Sequence, residues 1–417
     1  MGERKNLKTL FAVAFTLLMM GCNAASRIIY VDADALPGGD GTTWGTAHKY
    51  LQDALDDALK GDEIWIAAGL YKPTLEIGGS GDRYKSVQMK KGVAMYGGFA
   101  GIETSREQRN WQSNKTILSG DLSGDDVGFT NNDENCFHVV TGNNTDATAI
   151  LDGFTITAGN ANFDVWPDDG GGGMNNYRGS PTIKNCTFKG NSAYADGGGM
   201  RNWGKSRSLI TNCVFIGNAS NQEGGGMMNG PGSSPTVTNC IFSGNSAGED
   251  GGGMYNNESN PMVTNCRFNG NNADLTGGGM YNVNSSSPMV TNCTFSGNSA
   301  LTAGGGVCNT NSNPTLTNCI LWGDSAPTDP EIHNSGSTPI ITYSDIAGSY
   351  IGTGNIDADP LFADRDLRLS EDSPCINAGE NAAVPGGVKT DLDANPRLFN
   401  GVVDMGAYEF EKNIERR

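Results

Sequence analysis

Three acidic residues hold the same place in a repeated phrase. Asp196, Glu223 and Asp250 each stand immediately before a glycine triplet, 27 residues apart. If successive copies of the phrase stack, their Cα atoms lie about 4.8 Å apart. Oxygen-rich clusters of this kind can hold Ca2+, and carboxylates about 5–5.5 Å apart serve retaining glycosidases. The plainer expectation is a solvated acidic turn. The neighbouring copies carry Gly170, Thr276 and Ala303 at that place, so the acidic column is local. No cofactor is required by any motif, and Ca2+ on these three acids is the single candidate. His48, His138 and His333 are too scattered to suggest a histidine metal cluster.

A second column runs beside the first. Arg201, Met228, Tyr255 and Tyr281 each follow the residue after the glycine triplet, and Tyr177 and Trp203 lie two positions further along in their copies. Since the residue before them is expected to point inward, these should point outward. Exposed rings in a row can stack on sugars or anchor a protein. The competing expectation is packing beneath a loop. There is no phosphate-binding loop, no His-Glu-x-x-His and no nucleophile elbow.

The element that must position both columns is the repeat itself. Its cysteine returns at Cys186, Cys213, Cys240, Cys266, Cys293 and Cys319, at spacings of 27, 27, 26, 27 and 26. Such a period means a stacked array. Leucine-rich repeats need a leucine skeleton that these copies lack, and propeller blades need roughly 40–50 residues. What remains is an all-β, single-stranded parallel β-helix with 26–27 residues per coil. Each coil should hold three short strands. Cys240 and Phe242 share parity and can both face inward, whereas Val237 shares parity with Asn239, so a bend is expected between Asn239 and Cys240. Glycine triplets and Gly-Asn pairs mark the other corners.

Stacking converts recurrence into ladders. Three asparagine ladders are expected, represented by Asn239, Asn245 and Asn256, because an amide carries both donor and acceptor. Phe188, Phe215, Phe242, Phe268 and Phe295 should form an aromatic stack. The cysteine column predicts free thiols, since Cβ atoms about 4.8 Å apart exceed the roughly 3.8 Å that a disulfide prefers.

The phrase Phe242–Ala247 followed by the triplet and Met254 resembles the repeats of chlamydial polymorphic outer membrane proteins. The whole span from Tyr30 to Phe410 is similar to bacterial exported right-handed parallel β-helix proteins with pectin-lyase-like folds. The stretches that carry this likeness are Tyr30–Asp34, Tyr96–Gly101, Leu151–Thr157 and Asp404–Glu409. The resemblance implies fold more than activity. Polysaccharide lyases of that kind also use an Arg or Lys base, and only Arg201, Lys205 and Arg207 lie near the acids.

The chain divides into a signal segment over 1–21, a cap and irregular coils over 28–161, regular repeats over 162–325, and last coils with a C-terminal cap over 326–417. Arg4, Lys5 and Lys8 precede an apolar run from Leu10 to Met20, which is too short to span a membrane and suits export. Gly21-Cys22 resembles a lipoprotein processing site, with Cys22 lipidated and the membrane reached only through that anchor. Loss of 1–21 moves the net charge from −18 to −20, which disfavours nucleic acid as a partner. A short amphipathic helix over 48–59 should cap the first coil, and Ile64–Ala68 should be a strand. These features together predict an exported surface scaffold for adhesion or carbohydrate binding. The alternatives are a polysaccharide lyase or glycosidase on the Asp196–Glu223–Asp250 edge, and a purely structural envelope protein.

Overall fold

The computed structural model describes residues 26–411. Cys22 and the segment before it lie outside the described residues. The chain winds as a right-handed parallel β-helix, and its longest sheet stacks eleven strands in successive turns. One coil illustrates the path. Met254–Asn257 lies in a nine-stranded sheet, Met262–Thr264 in the eleven-stranded one, Arg267–Asn269 in a ten-stranded one, and Asn272–Ala273 in a six-stranded one. We call these the methionine, valine, phenylalanine and alanine sheets. The coil thus has four strands, not three. The fourth is a two-residue rung, too short to show an alternation in sequence.

The register is like on like. Met254 pairs with Met280, Val263 with Val290, Phe268 with Phe295 and Ala273 with Ala300. The bend before the cysteine falls on asparagine. Asn239 has φ 53°, and its equivalents from Asn185 to Asn318 lie between 51° and 57°. Among non-glycine residues, asparagine adopts this left-handed conformation with least penalty. The glycine triplet is required for two reasons. Gly251 has φ +68°, while a Cβ on Gly252 would meet Asn272 O at 2.3 Å and one on Gly253 would meet Gly279 O at 2.5 Å.

Inside, the phenylalanine and cysteine columns and two of the three expected asparagine ladders form; the third, at the Asn239 corners, is joined only from Asn212 to Asn185 at 3.3 Å and from Asn265 to Asn239 at 3.0 Å, and Asn265, Asn292 and Asn318 turn to carbonyls of the C-terminal segment. The phenylalanine rings stack with centroids 4.6–4.8 Å apart and planes within 4°. Every cysteine of the repeat column is free and buried; Cys240 Sγ, for example, lies 3.3 Å from Thr238 O. The Asn245 ladder is fully satisfied. Asn218 Nδ2 donates to Asn245 Oδ1 at 2.9 Å and to Phe188 O at 3.0 Å, and its Oδ1 accepts both Asn191 N and Asn191 Nδ2. Donors point toward later coils at each step. The ladder closes on Asp324, whose Oδ1 accepts from Asn298 N at 2.7 Å and Asn298 Nδ2 at 2.8 Å. The Asn256 ladder runs the same way to Asn334, which donates to Tyr350 Oη at 3.2 Å.

The ends are closed differently. The helix Leu51–Asp57 turns Leu51, Ala54 and Leu55 onto the first coil. Ile64–Ala68 is realised as Glu63–Ala67, and the apolar stretch 150–156 splits into Ile150–Asp152 and Phe154–Thr157 around Gly153, which has φ +91°. At the other end Tyr350 packs against the core. The segment after it does not simply cap the last coil; it runs back along the outside. Arg267 Nη1 meets Asp366 Oδ1 at 2.6 Å, and Asn265 Nδ2 donates to Thr390 O at 2.7 Å. The stretch Asp404–Glu409 is the clip. Gly406 N donates to Asn318 O at 2.8 Å, Ala407 N to Thr294 Oγ1 at 3.0 Å, and buried Arg397 holds Glu409 at 3.2 Å. Within this segment Leu369 makes an isolated antiparallel bridge to Phe362.

Two outcomes test this interior. Denatured without reductant, the protein should show free thiols at all nine described cysteines; loss of six of them to ladder disulfides would refute the packing. Asn245→Ala strips Asn218 N and Nδ2 of their acceptor, so it should cost on the order of 3 kcal/mol. Asn212→Gly, at an exposed left-handed corner, should change thermal stability little.

Candidate functional site

The acidic and aromatic columns both lie on the outer side of the methionine sheet, where loops cross it. Arg201 is registered beside Asn175 and Met228, and Tyr255 beside Met228 and Tyr281. The column is less open than its parity suggests. Arg201 is 0% exposed, Met228 2% and Tyr255 7%. Outward parity alone does not expose a side chain when chain outside the repeat lies over it. The segment 162–170 does this to Arg201.

Arg201 is the centre of a buried polar network. Its Nη1 lies 2.7 Å from Asp169 Oδ1 and 3.5 Å from Asp196 Oδ1. Its Nε donates to Asn175 Oδ1 at 3.3 Å, its Nη2 donates to Pro167 O, and the Trp166 ring lies 4.5 Å from Cζ. With these partners Arg201 cannot act as a solvent-facing base or sugar contact; it fastens the loop to the coil. His138 joins the same network, with Nδ1 3.0 Å from Gly171 O and Nε2 3.6 Å from Asp168 Oδ1.

Asp196 and Glu223 are bridged backbone to backbone on adjacent coils. Burial raises the Asp196 carboxyl to about 6, with Arg201 opposing and Asp169 adding to the rise. Burial together with the charges of Asp196, Glu249 and Asp250 raises Glu223 to about 7. Asp250 is also pushed up by burial, although Thr276 N and Oγ1 donate to its Oδ1 at 3.0 and 2.6 Å. The three acids therefore do not converge as a metal site needs. Asp196 turns to Arg201 and Asp250 to Thr276, and the trio does not bring its oxygens within common ligand distance. The assignment of Ca2+ to Asp196, Glu223 and Asp250 is corrected accordingly.

The aromatic residues regroup around a side chain outside the repeats. Trp166, 43% exposed, lies 5.4 Å from Tyr177 and 5.5 Å from Trp203 between ring centroids. Both partners are half-buried. Arg178 adds its guanidinium 5.0 Å from the Tyr177 ring, and Phe163 and Val165 are exposed on the same loop. Tyr281 remains partly open, its Oη 3.1 Å from Thr310 Oγ1 and its ring 5.5 Å from Tyr255. The structure thus unites Tyr177 and Trp203 with Trp166, and leaves Tyr255 as packing. Trp166 was missed because it belongs to no period. The signal available was an aromatic-rich insertion, Phe163 to Pro167, in otherwise regular counting.

No helix among the described residues is long and apolar enough to cross a membrane. A family model described as a right handed beta helix region matches residues 173–341. Among solved structures the chain is similar to a pectate lyase, with TM-score 0.54, 14% identity, and coverage of 93% of this chain and 97% of that one. A rhamnogalacturonan lyase is a looser likeness, with TM-score 0.33, 13% identity and coverage of 72% and 75%. No curated protein matches the chain. The first likeness is one of fold, in line with the right-handed parallel coil described above.

The raised carboxyls have a thermodynamic signature. Folded Asp196 and Glu223 keep protons up to about 6 and 7, whereas in the unfolded chain they ionise near pH 4. The folded state then binds more protons, so stability falls as pH rises from about 4 through 7. Glu223→Gln should make that decline in melting temperature shallower. An unchanged slope would show that Glu223 does not titrate there.

Proposed function

We propose that this protein is a carbohydrate-binding or adhesion scaffold that takes an extended polysaccharide along the outer side of its methionine sheet. We place it at a bacterial surface, exported by residues 1–21 and anchored by a lipid on Cys22. The observation that carries the reading is the cluster of Trp166, Tyr177 and Trp203, with Trp166 open to solvent. Amphipathic rings of this kind offer apolar faces to sugar CH groups at small entropic cost. The cluster adjoins the acids because Trp166 covers Arg201, and Arg201 holds Asp196. Half-exposed Glu223 then supplies an oxygen for sugar hydroxyls. The long straight sheet supports repeated contacts, and the pectate lyase likeness supports a fold compatible with polysaccharide. The net charge of −18 disfavours nucleic acid and anionic lipid.

One observation favours a second reading on the same edge. Glu223, raised to about 7, keeps a proton near neutrality beside an Asp196 raised to about 6. Two neighbouring acids both raised toward neutrality suit proton transfer in glycoside cleavage. A lyase is less well supported, since Arg201 is enclosed.

A glycan array with the protein from residue 26 onward separates these. Binding should fall at least tenfold in Trp166→Ala and Trp203→Ala and persist in Glu223→Gln. Cleavage of a bound glycan that Glu223→Gln abolishes would establish the second reading. Absence of any retained glycan would leave a purely structural envelope role.

A further inference from the structure

The loop from Asp121 to Asn135 joins the strand Thr116–Ser119 to the strand Val140–Thr141. It is unlike the regular coils in its charge. Among the described residues, Asp121, Asp126 and Glu134 form the one trio of metal-ligating side chains whose ligand atoms all lie within 4.8 Å of one another. None of the three takes part in an ion pair among the described residues. The nearest cations are committed elsewhere. Lys72 Nζ donates to Leu122 O at 3.1 Å, and Arg83 donates to Asn135 O, Asn160 O and Asn162 Oδ1.

Backbone donors satisfy part of the trio. Asp121 accepts from Gly124 N and, at 3.3 Å, from Asp126 N, and Glu134 Oε1 accepts from Ser123 N at 3.4 Å. Two buried oxygens remain without a donor. One is Asp126 Oδ1, which is buried. The other belongs to a residue outside the acidic trio. Asn135 is 1% exposed, its Nδ2 reaches Asp126 Oδ2 at 2.7 Å, and its Oδ1 has no partner. Turning the amide over would face oxygen to oxygen, which is worse without a cation between them. A buried orphan acceptor costs about 1–3 kcal/mol, and here two lie beside three carboxylates.

We propose that Asp121, Asp126 and Glu134, joined by the Asn135 amide oxygen once that amide turns over, form a site for a hard divalent cation, calcium in particular. Carboxylate and amide oxygens in an irregular loop suit calcium's variable shell of 6–8 oxygens better than the strict octahedron of magnesium. The cation would offset the negative charge gathered where the ligand atoms of Asp121, Asp126 and Glu134 lie within 4.8 Å of one another. It would also steady the loop, whose Val127 and Phe129 stand exposed. This loop leans on the coil beside the aromatic cluster, through Asn160 Nδ2 to Asn132 O at 2.8 Å.

The test is calcium titration of the protein from residue 26 onward, followed by calorimetry and by melting temperature in calcium against EDTA. The expected result is one site with Kd on the order of 10⁻⁴ M, and a melting temperature higher in calcium. Asp126→Asn keeps the side-chain shape and relieves repulsion. It should melt in EDTA at or above the wild-type temperature, yet bind calcium at least tenfold more weakly. Asp196→Asn should bind as wild type does. No heat of binding and no shift at about 10 mM calcium, roughly 100 times the expected Kd, would overturn the proposal. So would calcium binding of undiminished affinity in a folded Asp126→Asn, Glu134→Gln double variant. If that variant does not fold, terbium luminescence sensitised in the wild type and competed by calcium decides the same point.

Discussion

Every part of this protein depends on the in-register stacking of one coil on the next. A parallel ladder at about 4.8 Å per rung sets each inward side chain directly on its counterpart above and below. Like lies on like through the regular coils, and where the type changes, as from Phe295 to Leu321 and from Met280 to Val307, the replacement is also apolar. Phenylalanine does so by parallel rings, and cysteine by a small apolar body whose Sγ rests near a carbonyl. Asparagine does so by passing an amide hydrogen to the next amide oxygen. The same demand explains the glycine triplet, whose second and third members face the carbonyls of the next coil at distances that exclude a Cβ. Corners follow from it too, because a left-handed residue must recur at one point in every turn.

That regularity made most of the interior legible in the sequence. A period of 26–27 residues assigns one residue type to each rung, so Met254, Asn245, Cys240 and Phe242 revealed their ladders without a structure. Parity located the bend at Asn239. The short alanine sheet was not legible, since two residues cannot display an alternation. The exterior was read less well, for a different physical reason. Outward parity says that Arg201 and Tyr255 leave the core, not that they meet water. What covers Arg201 comes from a segment outside the period, which has no rung to mark its place, whereas Tyr255 packs against Tyr281 of the next coil.

Two such segments reshape the surface. The loop 162–170 converts Arg201 from an open cation into an internal fastener and brings Trp166 over Tyr177 and Trp203. The arm after Ile356 lies against the corners at Asn265, Asn292 and Asn318 and takes their side-chain amides with its own carbonyls. Motifs that resemble those of exported β-helix proteins acquire a structural meaning here. Asp404–Glu409 seats the arm, and Asp152 anchors Arg109 at 2.8 Å. The surface around Trp166 is thus made by irregular chain held on a regular frame.

The direction of the inner amide ladder has a bearing on how such a chain can change its length. Every rung from Asn191 to Asn298 hands amide hydrogens forward, and Asp324 receives the last pair with no amide of its own to continue the chain. Whole coils can therefore be duplicated or lost between those two ends, because each newcomer accepts and donates as its neighbours do. A further asparagine coil placed after Asp324 would find no amide donor beneath it. Growth by recombination is confined to the middle of the array, and the carboxylate serves as its full stop.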